Sequence, residues 1–330
     1  MPGGENLMKH NQRTSRQQTG SNFVYFLLGL CLLISVSSGS AYASSIKTQS
    51  VKQVLQLGAS ANNSSEHNLQ LPSDVAVHKN KIYVVDGSHH RIVVYDLQGK
   101  FLFTFGKLGD KPGQLNYPVG IDVAKDNRVY VADSGNHRIQ TFSDKGVFLS
   151  GFAVKNDDKR GRPIDILRHS QTGNLIVSNS DHHLLTYSTK GKLLNKWGGN
   201  GASRGEFRYP ATLSELKDGR IAVVDVLNSR VQVFNTDGSL SLVVGEWGVL
   251  PGQLFRPKGI AIDAKGNFYI SDSYMGLVQK YADDGSFSAV LGKKGKPYAM
   301  LTPVGMTINK NRLYVVEMKN NQVSVYQLAD

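Results

Sequence analysis

A proline standing just ahead of an apolar run recurs at Pro72, Pro118, Pro163, Pro210, Pro257 and Pro303, at spacings of 46, 45, 47, 47 and 46 residues. Each repeat has the same internal layout. From Tyr117 to Phe152, four short runs rich in Val, Ile, Tyr and Phe are divided by turn residues at Lys125-Asp126-Asn127, Ser134-Gly135-Asn136 and Asp144-Lys145-Gly146, which predicts four antiparallel strands in a meander. One such sheet cannot bury both of its faces. Repetition at this period solves the problem by packing each sheet on the next around an axis, so the expected fold is an all-β, six-bladed β-propeller.

Within the repeats, an aliphatic strand ending in an acid is followed by a short loop and an arginine-led strand. The clearest copy is Val131-Ala132-Asp133-Ser134-Gly135-Asn136-His137-Arg138-Ile139, with weaker copies at Val85 to Ile92 and Val224 to Val231. This pattern resembles the NHL repeat family over nearly the whole stretch from about residue 48 to 328, as found in exported bacterial-type members. The resemblance implies a six-bladed propeller of four-stranded blades. It implies less about activity, because this fold carries sensors, scaffolds, nucleic-acid binders and enzymes.

The chain has two unusual ends. Lys9, Arg13 and Arg16 precede an apolar run from Phe23 to Val36 and a small-residue stretch ending at Ala43, the layout of a secretory signal peptide over residues 1–43, with an uncleaved anchor as the alternative. Residues 44–330 then form the propeller, periplasmic or extracellular. The lone Cys31 lies in the apolar run, so the mature chain has no disulfide and no thiolate site. At the other end, the sixth repeat stops after three strands. Val51 to Leu57 is therefore expected to supply its outer strand and close the ring, after a polar linker from Ser44 to Gln49.

With 38 Lys and Arg against 26 Asp and Glu, the net charge is +12, and the basic residues gather on the loops between blades. Lys159, Arg160 and Arg162 lead into the third blade, whose loop lacks the Pro-Gly-Gln-Leu lead-in present at Pro112 and Pro251. A basic loop face points to a non-enzymatic propeller that binds a protein or an anionic polymer of the cell envelope. No cytoplasmic nucleic-acid partner is expected, the chain reads as a monomer, and membrane contact is limited to residues 23–36 if that segment is uncleaved.

Acids recur at the end of five second strands, as Asp86, Asp133, Asp225, Asp272 and Glu317, with Asn179 in the third blade. Asp86, Asp133 and Asp225 each have an arginine five residues on, at Arg91, Arg138 and Arg230, whereas Asn179 faces Leu184. The matched loss of both partners marks structural pairs. Asp272 has Leu277 in place of the arginine and reads as an unpaired acid beside Tyr274 and Met275, a candidate recognition site. Histidines at His89, His90, His137, His182 and His183 lie on loops of different blades, roughly 11 to 13 Å from the axis by strand spacing, too far apart to share one metal. No catalytic residue, metal or cofactor is expected. Two enzyme classes of similar fold remain as alternatives: peptidylglycine amidating lyases, which hold zinc through axial histidines absent from these inner strands, and calcium-dependent lactonases, for which Asp165, Glu215 and Asp263 are the candidate acids. A third is the RNA-binding NHL domain, against which export argues.

Overall fold

In the computed structural model, which describes residues 46–58 and 68–328, six sheets of four antiparallel strands are joined in meanders. The innermost strands are Val75–His78, Pro118–Val123, Pro163–Arg168, Pro210–Glu215, Pro257–Ile262 and Pro303–Asn309, one for each blade from first to sixth. The six-bladed propeller expected from the repeat is the fold observed. The leader over residues 1–43, including the apolar run, lies outside the described residues.

Alternation along the strands builds the core. In the first blade's second strand, Ile82 and Val84 pack toward the sixth blade, and Tyr83 and Val85 toward the second. Because both faces of every sheet are covered, strands such as Val129–Asp133 are buried at every position. Six hydrophobic clusters result, one between each pair of neighbouring blades.

The ring closes as expected, with an addition. Lys52–Leu57 pairs antiparallel with Gln322–Gln327 and completes the sixth blade. The preceding residues are not a free linker: Thr48–Ser50 runs parallel to Phe287–Lys293 on the outer edge of the fifth blade. One N-terminal segment thus covers the edges of two blades. An added parallel strand carries no turn residues or alternation of its own, so the polar sequence conceals it.

The recurring layout of the loops has a physical cause, seen most fully in the second blade. Asp133 is fully buried and accepts from Asn116 N at 2.7 Å, Arg138 Nε at 2.7 Å, Asn136 Nδ2 at 2.9 Å and Gln140 Nε2 at 3.0 Å. Its charge is thereby balanced by one guanidinium and three further donors, which ties the lead-in loop to the strand-two loop on one face of the ring. The Asp86–Arg91 and Asp225–Arg230 pairs, at 2.8 and 2.9 Å, repeat the arrangement.

Candidate functional site

Three buried or nearly buried aspartates line the axis. Asp74 immediately precedes the first blade's inner strand, and Asp122 and Asp165 lie in those of the second and third. Together with Glu215, Thr212 and Thr307 they line a cavity of about 210 Å³. Each is held by its neighbours. Asp74 Oδ2 accepts from Ile121 N at 3.0 Å, Asp122 Oδ2 from Arg168 N at 2.7 Å and Asp165 Oδ2 from Leu213 N at 2.8 Å, each donor belonging to the next blade.

Glycines on the preceding blade make room for two of these carboxylates. A Cβ on Gly120 would stand 2.2 Å from Asp165 Oδ1, and one on Gly305 would stand 2.2 Å from Asp74 Oδ1. A side chain at either position would push the acid off the axis. Each of the two carboxylates therefore touches three blades at once.

Electrostatics separates the acids. Burial pushes Asp74 up to about 7, backbone donors at Ile121 and Val75 oppose the rise, and the nearby charge of Asp122 adds to it. Asp122 is pushed up to about 6, again first by burial, with the N–H groups of Arg168 and Val123 pulling the other way. Asp165 is held well above the usual carboxylate range by burial and then by the charge of Asp74. All three carboxyls are therefore harder to ionise than an exposed aspartate, Asp122 less so than Asp74.

A second cavity of about 300 Å³ adjoins the first and shares Asp122, Leu167 and Glu215 with it. It extends to the first-to-second strand turns of the second and third blades, lined by Lys125, Asp126, Arg168, His169 and Ser170. Glu215 accepts from both Ser170 N at 2.9 Å and Ser170 Oγ at 2.5 Å. Buried His169 is anchored through Nε2 to Gly219 O at 2.9 Å.

The residues expected from sequence to form a binding site lie elsewhere, on the loop face. Lys159 and Arg160 are exposed on a two-stranded hairpin, and Arg162 Nε donates to Ser134 Oγ at 3.0 Å. Asp272 is not unpaired. It is fully buried and accepts the N–H groups of Phe255, Arg256, Tyr274 and Met275, so four backbone donors do the work of the missing arginine. Tyr274 is exposed and stacks on Phe255 with centroids 4.4 Å apart, and Met275 is half-buried.

Neither metal suggested by the enzyme alternatives fits these residues. For calcium, Asp122, Asp165 and Glu215 are each oriented by backbone or serine donors, while Asp263 caps its own turn through Lys265 N and Asn267 N and lies outside the axial cavity. For zinc, the loop histidines serve separate contacts, as in His90 Nδ1 with Tyr117 N and His182 Nδ1 with Tyr209 N. Among the described residues, no three His, Cys, Asp or Glu side chains are grouped to hold an ion.

The axial acids carried a faint sequence signal. Asp74 and Asp165 each stand two residues after the recurring proline, and Asp122 stands four after. The second-strand acids repeat more regularly.

The chain matches the NHL repeat model over residues 69–95 and 115–142. It is 28% identical over 172 residues to the protein brain tumor of Drosophila melanogaster, covering 51% of this chain and only 12% of that one. Among solved structures, it resembles virginiamycin B lyase from Staphylococcus aureus, at 11% identity and a TM-score of 0.58, covering 89% of this chain and 99% of the lyase. A gluconolactonase from Xanthomonas campestris is similar at 14% identity and a TM-score of 0.61, covering 79% and 87%. At such identities the likeness establishes the propeller fold. The expectation of a non-enzymatic propeller acting through its basic face is nevertheless corrected: the similar propellers include lyases and a gluconolactonase. The axis, expected to carry no catalytic group, holds a cluster of acids whose burial raises their proton affinity.

Proposed function

We propose that the protein is a hydrolase that opens a small ester or lactone by carboxylate acid–base catalysis at the propeller axis. The observation that carries this reading is that Asp74, Asp122 and Asp165 line one axial cavity, where burial makes each carboxyl harder to ionise. Asp122, ionised at neutral pH, takes a proton from a water as its oxygen attacks the carbonyl carbon. Asp165, whose burial favours the protonated form, gives its proton to the leaving oxygen as the carbon–oxygen bond breaks. The product is a hydroxy acid, and one proton passes from Asp122 back to Asp165 through Asp74 to reset the cluster.

A cavity of about 210 Å³ limits the reacting part of the substrate to a few atoms, and the likeness to a gluconolactonase favours a lactone. Membership of the NHL repeat family belongs to the same reading, supported by the two matched repeats. Export is supported by the basic and apolar leader ending near Ala43.

The test is turnover of a panel of five- and six-membered lactones and simple esters by the full-length chain, beside Asp122→Asn and Asp165→Asn. Each variant is expected to lose about a hundredfold or more in kcat while keeping the wild-type circular dichroism spectrum. Absence of turnover across the panel, or equal turnover by the folded variants, refutes the assignment.

A further inference from the structure

The cavity beside the axis contains an unused donor. Arg168 Nε is buried and has no hydrogen-bond partner among the described residues. The guanidinium is steadied from behind, since Nη1 donates to His169 O at 3.3 Å and a Cβ on Gly173 would lie 2.5 Å from Nη1. Leaving a charged donor unsatisfied in a buried position is costly, unless a ligand completes it.

The acids around this cavity are already engaged. Both oxygens of Asp122 accept backbone N–H groups, and both oxygens of Glu215 accept from Ser170. Asp126 accepts from Arg128 N at 3.1 Å and lies 3.8 Å from Arg128 Nε. What the walls still offer an incoming group is therefore Arg168 Nε–H and the exposed ammonium of Lys125. Both are donors. A ligand placed there has to bring acceptors.

Resting on the reading of the axis as a catalytic site, we propose that this cavity is a subsite for a carboxylate, held by Arg168 with support from Lys125. A carboxylate is favoured over a phosphate because Asp122, Glu215 and Asp126 line the same space, and their charge opposes a second negative charge on the ligand. The cavity of about 300 Å³ meets the axial one at Asp122, so a molecule anchored by its carboxylate at Arg168 presents its other end to the axial acids. The substrate class is then an ester or lactone that carries a carboxylate of its own, or whose product carboxylate moves to Arg168 after ring opening.

Titration calorimetry of the full-length chain tests the subsite without requiring turnover. D-gluconate, D-glucitol and inorganic phosphate are compared at fixed pH and salt; the first two differ mainly in the carboxylate. Gluconate is expected to bind more tightly than either of the others. Arg168→Gln should weaken gluconate about tenfold and leave glucitol unchanged, and Lys125→Gln should weaken gluconate about threefold. Arg168→Lys, which keeps the charge and loses the fork, serves as a second variant if Arg168→Gln has an altered melting temperature. Equal binding of gluconate and glucitol, stronger binding of phosphate, or no loss in either Arg168 variant overturns the subsite. Two outcomes separate the proposals: intact gluconate binding with no turnover of any panel compound in the wild type refutes the hydrolase and keeps the subsite, whereas lactone turnover with unaltered KM in Arg168→Gln does the reverse.

Discussion

Replacing Asp74 by asparagine should make the protein more stable and less active at the same time. The carboxyl is raised from 3.8 to about 7, mainly by burial. Between those two pH values the folded chain holds a proton that the unfolded chain releases, so this group costs stability progressively as the pH rises, and the full penalty is present above about pH 7. Three pH units correspond to about 4 kcal/mol. Asparagine removes that penalty and keeps one acceptor for Ile121 N, but it turns an amide toward backbone donors, which costs about 1–2 kcal/mol. The net expectation at pH 8 is a gain of about 2 kcal/mol, or roughly 4–8 °C in Tm. At pH 4 the wild-type carboxyl is neutral in the folded state, so the sign reverses and the variant should be less stable by about 1–2 kcal/mol. Thermal unfolding followed by circular dichroism at pH 4, 6 and 8, with turnover measured on the same samples, reads both effects. An Asp74→Asn protein destabilised equally at all three pH values would falsify the reasoning: the axial acids would then be clips between blades, and the acid–base reading would lose its basis.

Other outcomes follow from the same contacts. Gly120→Ala should displace the Asp165 carboxylate, lowering stability by about 1–3 kcal/mol in urea unfolding and abolishing any turnover. Asp133→Ala leaves Arg138 and three further donors without their acceptor, and should cost about 3–5 kcal/mol in the same assay. Removing residues 46–57 uncovers the outer edges of the fifth and sixth blades, so the truncated chain should melt well below the intact one and associate in light scattering; an unchanged Tm and monomeric mass would refute the closure described above. Dialysis against a chelator should leave Tm and turnover unaltered, and elemental analysis finding one zinc or calcium per chain would contradict the donor geometry at the axis.

Local chemistry alone determined the ring. A proline at a steady period, β-branched runs and turn residues act over a few positions each, and a four-stranded unit too small to bury itself has to stack on its copies. The Asp133–Arg138 pairing was equally legible, because the partners stand five residues apart on adjoining strands and are lost together at Asn179 and Leu184. The closing strand at Lys52–Leu57 could be inferred by counting what the sixth repeat lacks. Thr48–Ser50 could not, since it pairs with the edge of a different blade from the one that Lys52–Leu57 completes.

The axial site belongs to the tertiary structure. Asp74, Asp122 and Asp165 stand 43 to 48 residues apart and meet only because the ring turns their strands inward. Their proton affinities arise from burial and mutual repulsion, which no single repeat contains. The same holds for Asp272. In sequence it lacks an arginine and looks free, yet the folded loop supplies four N–H donors to it. A backbone donor leaves no trace in side-chain identity, so only the fold could decide that this acid is structural and that the axial ones line one cavity.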